Sequence, residues 1–299
     1  MKTAVRNDVT FLSGMDRCAA WHYVATTTSL EVTTGRPCVV MAHGFGGTRD
    51  SGLEGFAEAF ARAGADVVLF DYRGFGTSEG EPRQVVDVTA QLADYLAAVA
   101  FARTLEGVDP DRLVVWGVSL SGGHVFRVAS ADDRLAAAIS LTPATDVRAA
   151  SKAGPKGKSA VPPKGLLGAI RERKPVYIPL VEPKGGAGAL TAPGAFEAYT
   201  GIAGPTWVNS FGVTPRTLAT SLTYRPGSVA QDVRCPVLVQ IADLDQSAPP
   251  LAAGLAAKKL RAAEVRHYPC DHFDVYTGNE WHEQVLRHQV DFLTRRLAP

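Results

Sequence analysis

No stretch of the sequence stays apolar for the roughly 20 residues that a membrane-crossing helix needs. The opening residues, MKTAVRNDVTFLSGMDR, contain no apolar leader, so neither integral membrane association nor a secretory signal is expected. An excess of one charge is also missing. Lys and Arg number 31 against 30 Asp and Glu, a net charge of +1, which leaves no global field to hold nucleic acid. Cysteine is sparse: Cys18, Cys38, Cys235 and Cys270 form no CxxC pair and lack zinc-ligand spacing. They read as free, structural thiols, and the expected compartment is a reducing cytoplasm. Disorder of the whole chain is excluded by a content of 46% hydrophobic and 20% charged residues. The 299 residues fit one large core with an insertion, or two modest domains.

What is present is a repeated alternation. Residues 1–33 hold short alternating stretches (VTFLS, AAWHYVATTTSLEV) that predict an antiparallel pair or meander. Apolar runs then follow at CVVMAHG, ADVVLFDYRG, DRLVVWG and LAAAISLTP, and again at CPVLVQIAD and AEVRHYP. Between them lie helical patterns: GLEGFAEAFARAG closed by Gly64, residues 83–104 with Val85, Val88, Leu92, Leu96 and Val99 on one stripe, and residues 250–261. A last helix is expected over residues 280–298, carrying Trp281, Val285, Leu286, Val290, Leu293 and Leu297. Short apolar strands alternating with helices predict an α/β fold, with a mostly parallel central sheet flanked by helices on both faces.

The alternation stops between about residues 145 and 230. Residues 151–195 hold eight glycines, seven prolines, eight Lys or Arg and only two acids, Glu172 and Glu182. Loops with a few short helices are expected there. The division that follows is a core of residues 1–144 and 231–299 and a cap or lid insertion of residues 145–230.

The most informative stretch is LVVWGVSLSGGHV, residues 113–125. A strand runs into small residues and then a helix, the setting of a nucleophile elbow, with the strand expected to end at Trp116. The serine of such an elbow occupies a tight turn, so its neighbours must be small, and its hydroxyl stands out from the sheet top. The usual pattern is GxSxG; here the fifth place is Ser121. Ser119 is the assigned nucleophile, and Ser121, in the overlapping Ser119-Leu120-Ser121-Gly122-Gly123, is its rival.

Nucleophilic catalysis needs a base and a group to orient it, and in this setting they follow in the order acid, then histidine. The run CPVLVQI leads to Asp243 and Asp245, and AEVRHYP leads to His272. Acids just past a parallel strand sit where sites form. Asp245 is the choice, with Asp243 kept as the alternative, since spacing within one loop does not separate them. His272, in the turn after its strand, is assigned as general base over His267, which lies inside the strand. Ahead of these, Met41-Ala42-His43-Gly44-Phe45-Gly46-Gly47 ends an apolar run in glycines, which let backbone N–H groups approach one oxygen. The backbone N–H groups of Phe45 and Leu120 are the expected oxyanion donors, and His43 is expected to bond within its loop. On its own, HGFGG would read equally as an ordinary glycine turn.

Taken in order, AHGFGG, FDYRGFGTSEG, WGVSLSGGH, QIADLDQSAPP and YPCDHFDVYTG resemble the α/β-hydrolase superfamily across residues 38–298. WGVSLSGGH and CDHFDVY further resemble a branch named for S15 peptidases, acyl-esterases and polyketide transferases, in which serine is accepted in the fifth place of the elbow. The resemblance implies that Asp71 and Arg73 hold a loop and do not react. It also implies a cap over the nucleophile, acyl transfer through a covalent intermediate, a small acyl substrate, and no metal or organic cofactor. The first expectation is a serine esterase. Alternatives are a thioesterase or acyltransferase on polyketide-like or other acyl groups, an amidase or C–C hydrolase, and a non-catalytic scaffold of the same fold. Nucleotide binding is disfavoured, because neither GxGxxG with its downstream carboxylate nor a GK[ST] loop is matched. Some of Tyr177, Phe196, Tyr199, Trp207, Phe211 and Tyr224 would line an acyl pocket or pack the cap. The basic excess of residues 151–174 reads as a solvated loop, or as an attraction for an anionic substrate, a carrier-bound acyl group or a membrane surface. Oligomeric state is not legible.

Overall fold

The computed structural model describes residues 5–149 and 174–298. Strands β1 (Arg6–Ser13) and β2 (Asp16–Tyr23) form an antiparallel hairpin whose two-residue turn starts at Gly14, φ 63°. Then come β3 (Arg36–Ala42), helix α1 (Glu54–Ala63), β4 (Asp66–Phe70), α2 (Val88–Ala102), β5 (Val108–Val118), α3 (Leu120–Ala131) and β6 (Ala137–Leu141). After β6 the chain leaves the sheet. It makes a separate strand pair, β7 (Val176–Ile178) with β8 (Phe211–Val213), and helices α4 (Ala195–Ile202) and α5 (Pro215–Thr223). A 3-10 turn over Pro226–Asp232 leads back to β9 (Val237–Ala242), α6 (Pro250–Ala257), β10 (Ala263–Tyr268) and α7 (His282–Leu297).

The sheet has eight strands in the order β1-β2-β4-β3-β5-β6-β9-β10. The six apolar runs of the sequence are its six parallel strands, and β2 alone runs against them, pairing antiparallel with both β1 and β4. β5 lies in the middle. Successive side chains of a strand point to opposite faces, so each strand feeds two cores. Val40, Val68 and Val115 pack with Tyr95 of α2 and Phe126 of α3. Val39, Val67 and Trp116 pack with Phe56 of α1 and Phe292 of α7. Both faces of the central strands are covered, which is why their runs do not alternate with polar residues; β10, at the sheet edge, is mostly exposed and carries Glu264, Arg266 and His267.

One polar chain crosses the second core. Trp116 Nε1 donates to Gln289 Oε1 (2.9 Å), Gln289 Nε2 to Gln240 Oε1 (2.6 Å), and Gln240 Nε2 to the Tyr268 hydroxyl (2.6 Å). It joins α7 to β5, β9 and β10.

Some expectations shift. The helix expected over 83–104 begins only at Val88, where Asp87 caps it by accepting from Thr89 N and Ala90 N. Its buried face keeps Val88 and Val99 of the expected stripe, with Leu92 packed against the core, but it is wider and departs from the stripe elsewhere. Leu96 is exposed, whereas Gln91, Asp94 and Tyr95 are buried. Each residue has a partner: Gln91 Oε1 accepts from His124 Nε2 (3.1 Å), Asp94 accepts from Arg73 Nε (2.8 Å), and the Tyr95 hydroxyl donates to the carbonyls of Trp116 (2.6 Å) and Val40 (3.1 Å). Val85, outside the helix, bridges Gly212 of β8. β5 runs two residues past Trp116, because Gly117 and Val118 continue the pairing with Ser140 and Leu141.

The excursion between β6 and β9 is an inserted cap, and its strand pair adds to the loops and helices expected there. It is fastened to the sheet top beside the glycine-rich loop. The Tyr199 hydroxyl donates to Phe45 O (2.7 Å), Thr206 N and Oγ1 donate to Asp50 Oδ2 (3.0 and 2.8 Å), and Gly212 N donates to Gln84 O (2.8 Å). Leu180 fills the space where a side chain on Gly46 would stand. The basic stretch of residues 151–174 lies, apart from Lys174, outside the described residues. No helix among the described residues is long and apolar enough to cross a membrane.

Candidate active site

Ser119 is the single residue between the end of β5 and the start of α3, at φ 59° and ψ −119°. For a non-glycine residue this backbone costs on the order of 1–3 kcal/mol and persists only where the surroundings enforce it. Here its N–H donates to Leu141 O (2.9 Å), and its carbonyl accepts from Gly123 N (3.1 Å) and Ala144 N (2.9 Å). The side chain is thereby held at the sheet top, at the positive end of a twelve-residue helix. Small neighbours are required: a side chain on Gly117 would collide with the Ser121 backbone, and one on Gly44 would meet Ser119 Cβ at 3.0 Å.

His272 follows β10, and Asp245 follows β9. Their side chains are 3% and 1% exposed, so water does not compete for their bond. Asp245 Oδ2 lies 2.6 Å from His272 Nδ1, and His272 Nε2 lies 3.0 Å from Ser119 Oγ. The carboxylate is acceptor-only, so Nδ1 carries the ring proton, and the free pair on Nε2 accepts from the serine hydroxyl. Burial lowers the affinity of His272 for a second proton, but the charge and hydrogen bond of Asp245, with the charge of Asp271, outweigh it and raise the pKa above 6.5. The other Asp245 oxygen accepts from Ser247 N (2.7 Å) and Ala248 N (2.6 Å). The two acids of this loop have different partners, since Asp243 is exposed and bonds His267 Nδ1 (2.7 Å) on the strand flank.

Asp271 joins the two loops. Its Oδ1 accepts from His272 N (2.7 Å) and Gln246 N (3.0 Å), and its Oδ2 from Gln246 Nε2 (2.8 Å). Opposite stands the glycine-rich loop. His43 is buried there and, as expected, bonds within the loop: Nδ1 donates to Gly44 O (3.0 Å), while Nε2 accepts from Tyr72 N (3.4 Å). Burial pushes its pKa down to about 4, so the ring is neutral. Among the described residues, neither Phe45 N–H nor Leu120 N–H has an acceptor. Asp71 and Arg73 are engaged in structure: Asp71 accepts from Arg49 N and Nη1 (2.6 Å each), and Arg73 holds Asp94.

Three residues near the site, Tyr72, His124 and Gln91, escaped the sequence reading. Tyr72 bonds the hydroxyl of Ser121 (2.7 Å). His124 Nδ1 accepts from the Tyr224 hydroxyl (2.6 Å) and its Nε2 donates to Gln91 Oε1 (3.1 Å), with burial pushing its pKa down to about 3. These contacts join residues far apart in the chain, and no local motif announces them. Tyr199 and Phe211, noted among the cap aromatics, both touch Phe45: the first by its hydroxyl, the second by ring contact at 4.9 Å. Trp116, three residues before Ser119, is fully buried. All four cysteines are free and buried, and burial pushes Cys18, Cys235 and Cys270 up to about 12, so they stay thiols. Among the described residues no group of three His, Cys, Asp or Glu could hold a metal ion.

A buried carboxylate, an imidazole and a serine hydroxyl in one line of hydrogen bonds can move the serine proton to the imidazole. Two free N–H groups beside them can receive a negative oxygen. Comparison with known proteins agrees with the architecture. Residues 37–164 match the family described as alpha/beta hydrolase fold. The chain is 40% identical to the quorum-quenching protein AidA of Acinetobacter baumannii, over 98% of this chain and 95% of that protein. It is 26% identical to the polyketide transferase grgF of a Penicillium species, over 88% and 89% of the two chains. The crystal structure of the α/β-hydrolase GrgF from Penicillium sp. sh18 superposes with a TM-score of 0.77 at 24% identity, covering 98% of this chain and 99% of that one.

Proposed function

The chain belongs to the α/β-hydrolase fold family, and within it we propose a serine hydrolase that cleaves carboxylic esters through an acyl-enzyme. The observation that carries this reading is the continuous line Ser119 Oγ, His272, Asp245, at 3.0 and 2.6 Å. His272 Nε2 takes the proton of Ser119 as its hydroxyl attacks the ester carbonyl. Asp245 holds the ring in the productive tautomer and stabilises the imidazolium. The N–H groups of Phe45 and Leu120 receive the oxyanion; a donor in such a hole is worth roughly 3 kcal/mol of barrier. The imidazolium then protonates the departing alcohol. Water, deprotonated by the same nitrogen, attacks the acyl-enzyme and releases the acid. Residues 1–144 and 231–299 supply this machinery, and residues 145–230 form the cap above it, with Phe211 and Phe45 as an apolar wall. The substrate is a small acyl compound.

Acyl transfer or thioester cleavage is the second reading, favoured by the name of the Penicillium relative and by the resemblance to the S15, acyl-esterase and polyketide-transferase branch. The name of the Acinetobacter relative, a quorum-quenching protein, adds quorum signals to the compounds worth assaying. The test treats wild type and Ser119→Ala with a fluorophosphonate, then compares p-nitrophenyl butyrate with an acyl thioester. One phosphonyl adduct per chain and ester turnover, both absent in Ser119→Ala, are expected. Equal labelling or turnover in the two proteins refutes the assignment. A thioester rate well above the ester rate moves the function to the second reading.

A further inference from the structure

The elbow departs from GxSxG in one place, and the structure gives Ser121 work that glycine cannot do. Its side chain is buried, and its hydroxyl does not face His272. It donates to the carbonyl of His43 and lies 2.7 Å from the Tyr72 hydroxyl, which donates to it in turn. Its one proton is therefore committed away from the Ser119 line.

The two N–H groups proposed as the oxyanion hole come from separate pieces of chain. Leu120 N–H opens α3, and Phe45 N–H belongs to the loop after β3. A hole grips an oxyanion only if both donors keep their spacing and aim. Ser121 follows Leu120 directly, and the carbonyl it holds lies two residues before Phe45. His43 continues the line: its ring N–H bonds Gly44 O, the carbonyl of the very peptide unit that carries Phe45 N–H. Peptide planarity makes a grip on that carbonyl a grip on the donor. Tyr72 braces both ends, through its hydroxyl on Ser121 and its backbone N–H on His43 Nε2. Burial keeps His43 neutral, so no ring titration interrupts the line near neutral pH.

We propose that Ser121 is a positioning residue, a strut that sets the separation of the two halves of the oxyanion hole, with Tyr72 as its brace. The inference rests on the serine-hydrolase reading above and deepens it. Removing the strut should harm the transition state more than the bound substrate, because the hole tightens on charge that develops only there.

The test uses the full chain with Ser121→Ala, Ser121→Gly and Tyr72→Phe beside Ser119→Ala. Glycine is the residue that the GxSxG pattern carries at this place, so it keeps the test open should alanine fail to fold. With p-nitrophenyl butyrate, both Ser121 variants should lose roughly 10- to 100-fold in kcat, with KM within about twofold of wild type. Affinity for an aryl trifluoromethyl ketone, which forms an oxyanion on the serine, should fall by the same factor as kcat. Tyr72→Phe leaves the strut without its brace and should lose less. Wild-type kcat and ketone affinity in folded Ser121 variants would overturn the strut while leaving the hydrolase reading intact. So would a loss expressed in KM alone or in thermal stability alone. If wild type and Ser119→Ala behave alike, the hydrolase reading falls and takes the strut with it.

Discussion

Replacing Asp245 with asparagine preserves the shape of the site and reverses the instruction given to His272. One oxygen of Asp245 accepts from Ser247 N and Ala248 N at 2.7 and 2.6 Å, while the other faces His272 Nδ1 at 2.6 Å. In Asp245→Asn only one oxygen remains, and two backbone donors already claim it. The amide nitrogen must then face His272, and it donates. Nδ1 becomes the acceptor and the ring proton moves to Nε2, 3.0 Å from Ser119 Oγ. The lone pair that should take the serine proton is gone. A wrong tautomer of this kind costs roughly 10,000-fold in kcat, or about 5 kcal/mol of barrier. Initial rates with p-nitrophenyl butyrate at saturating substrate, normalised to folded protein by thermal melt, would measure it. Asp243→Asn is the control, since the Asp243 side chain bonds exposed His267, and it should stay within about twofold of wild type. Asp245→Asn retaining a tenth of wild-type kcat, or Asp243→Asn losing as much as Asp245→Asn, would refute the argument.

Further predictions concern pH and stability. His272 must be neutral to act as base, and its pKa is raised, so kcat/KM should fall as pH drops through a value above 6.5. Asp271→Asn removes one of the charges that favour the imidazolium and should move this acid limb to lower pH; a limb that stays put, or moves up, contradicts the stated cause. Tyr95→Phe removes a buried hydroxyl from the carbonyls of Trp116 and Val40 and should cost about 1–3 kcal/mol of stability. Urea denaturation checks it, through a lower midpoint at an unchanged slope.

The legible parts of the sequence were those in which one physical demand acts along the chain. Strands buried on both faces must be apolar, so CVVMAHG or CPVLVQIAD announces itself. The tight turn at Ser119 needs small neighbours, so the elbow is visible too. Partners across space were not legible. Gln91 and Asp94 look like solvent positions until His124 and Arg73 arrive beside them, which is why the stripe expected for α2 left them out. Asp243 and Asp245 sit two residues apart in one loop, and only their partners, His267 and His272, tell them apart. Ser121 was visible as a departure from the elbow pattern, but its partner lies at the end of another strand. The strand pair of the cap escaped because each strand has only three residues, too short for any period to show.

Gln289 makes the last helix a keyed part. Apolar side chains such as Val285, Phe292 and Leu293 would tolerate several rotational settings of α7 against the sheet, because dispersion forces have little directional preference. The amide does not. Each residue turns the helix by about 100°, so a slip of one residue swings Gln289 out of line with Trp116 and Gln240 and leaves their buried groups unanswered, at about 1–3 kcal/mol for each. The core therefore selects one angular setting in addition to rewarding burial. The strand that receives this index, β5, is the one that leads directly into Ser119.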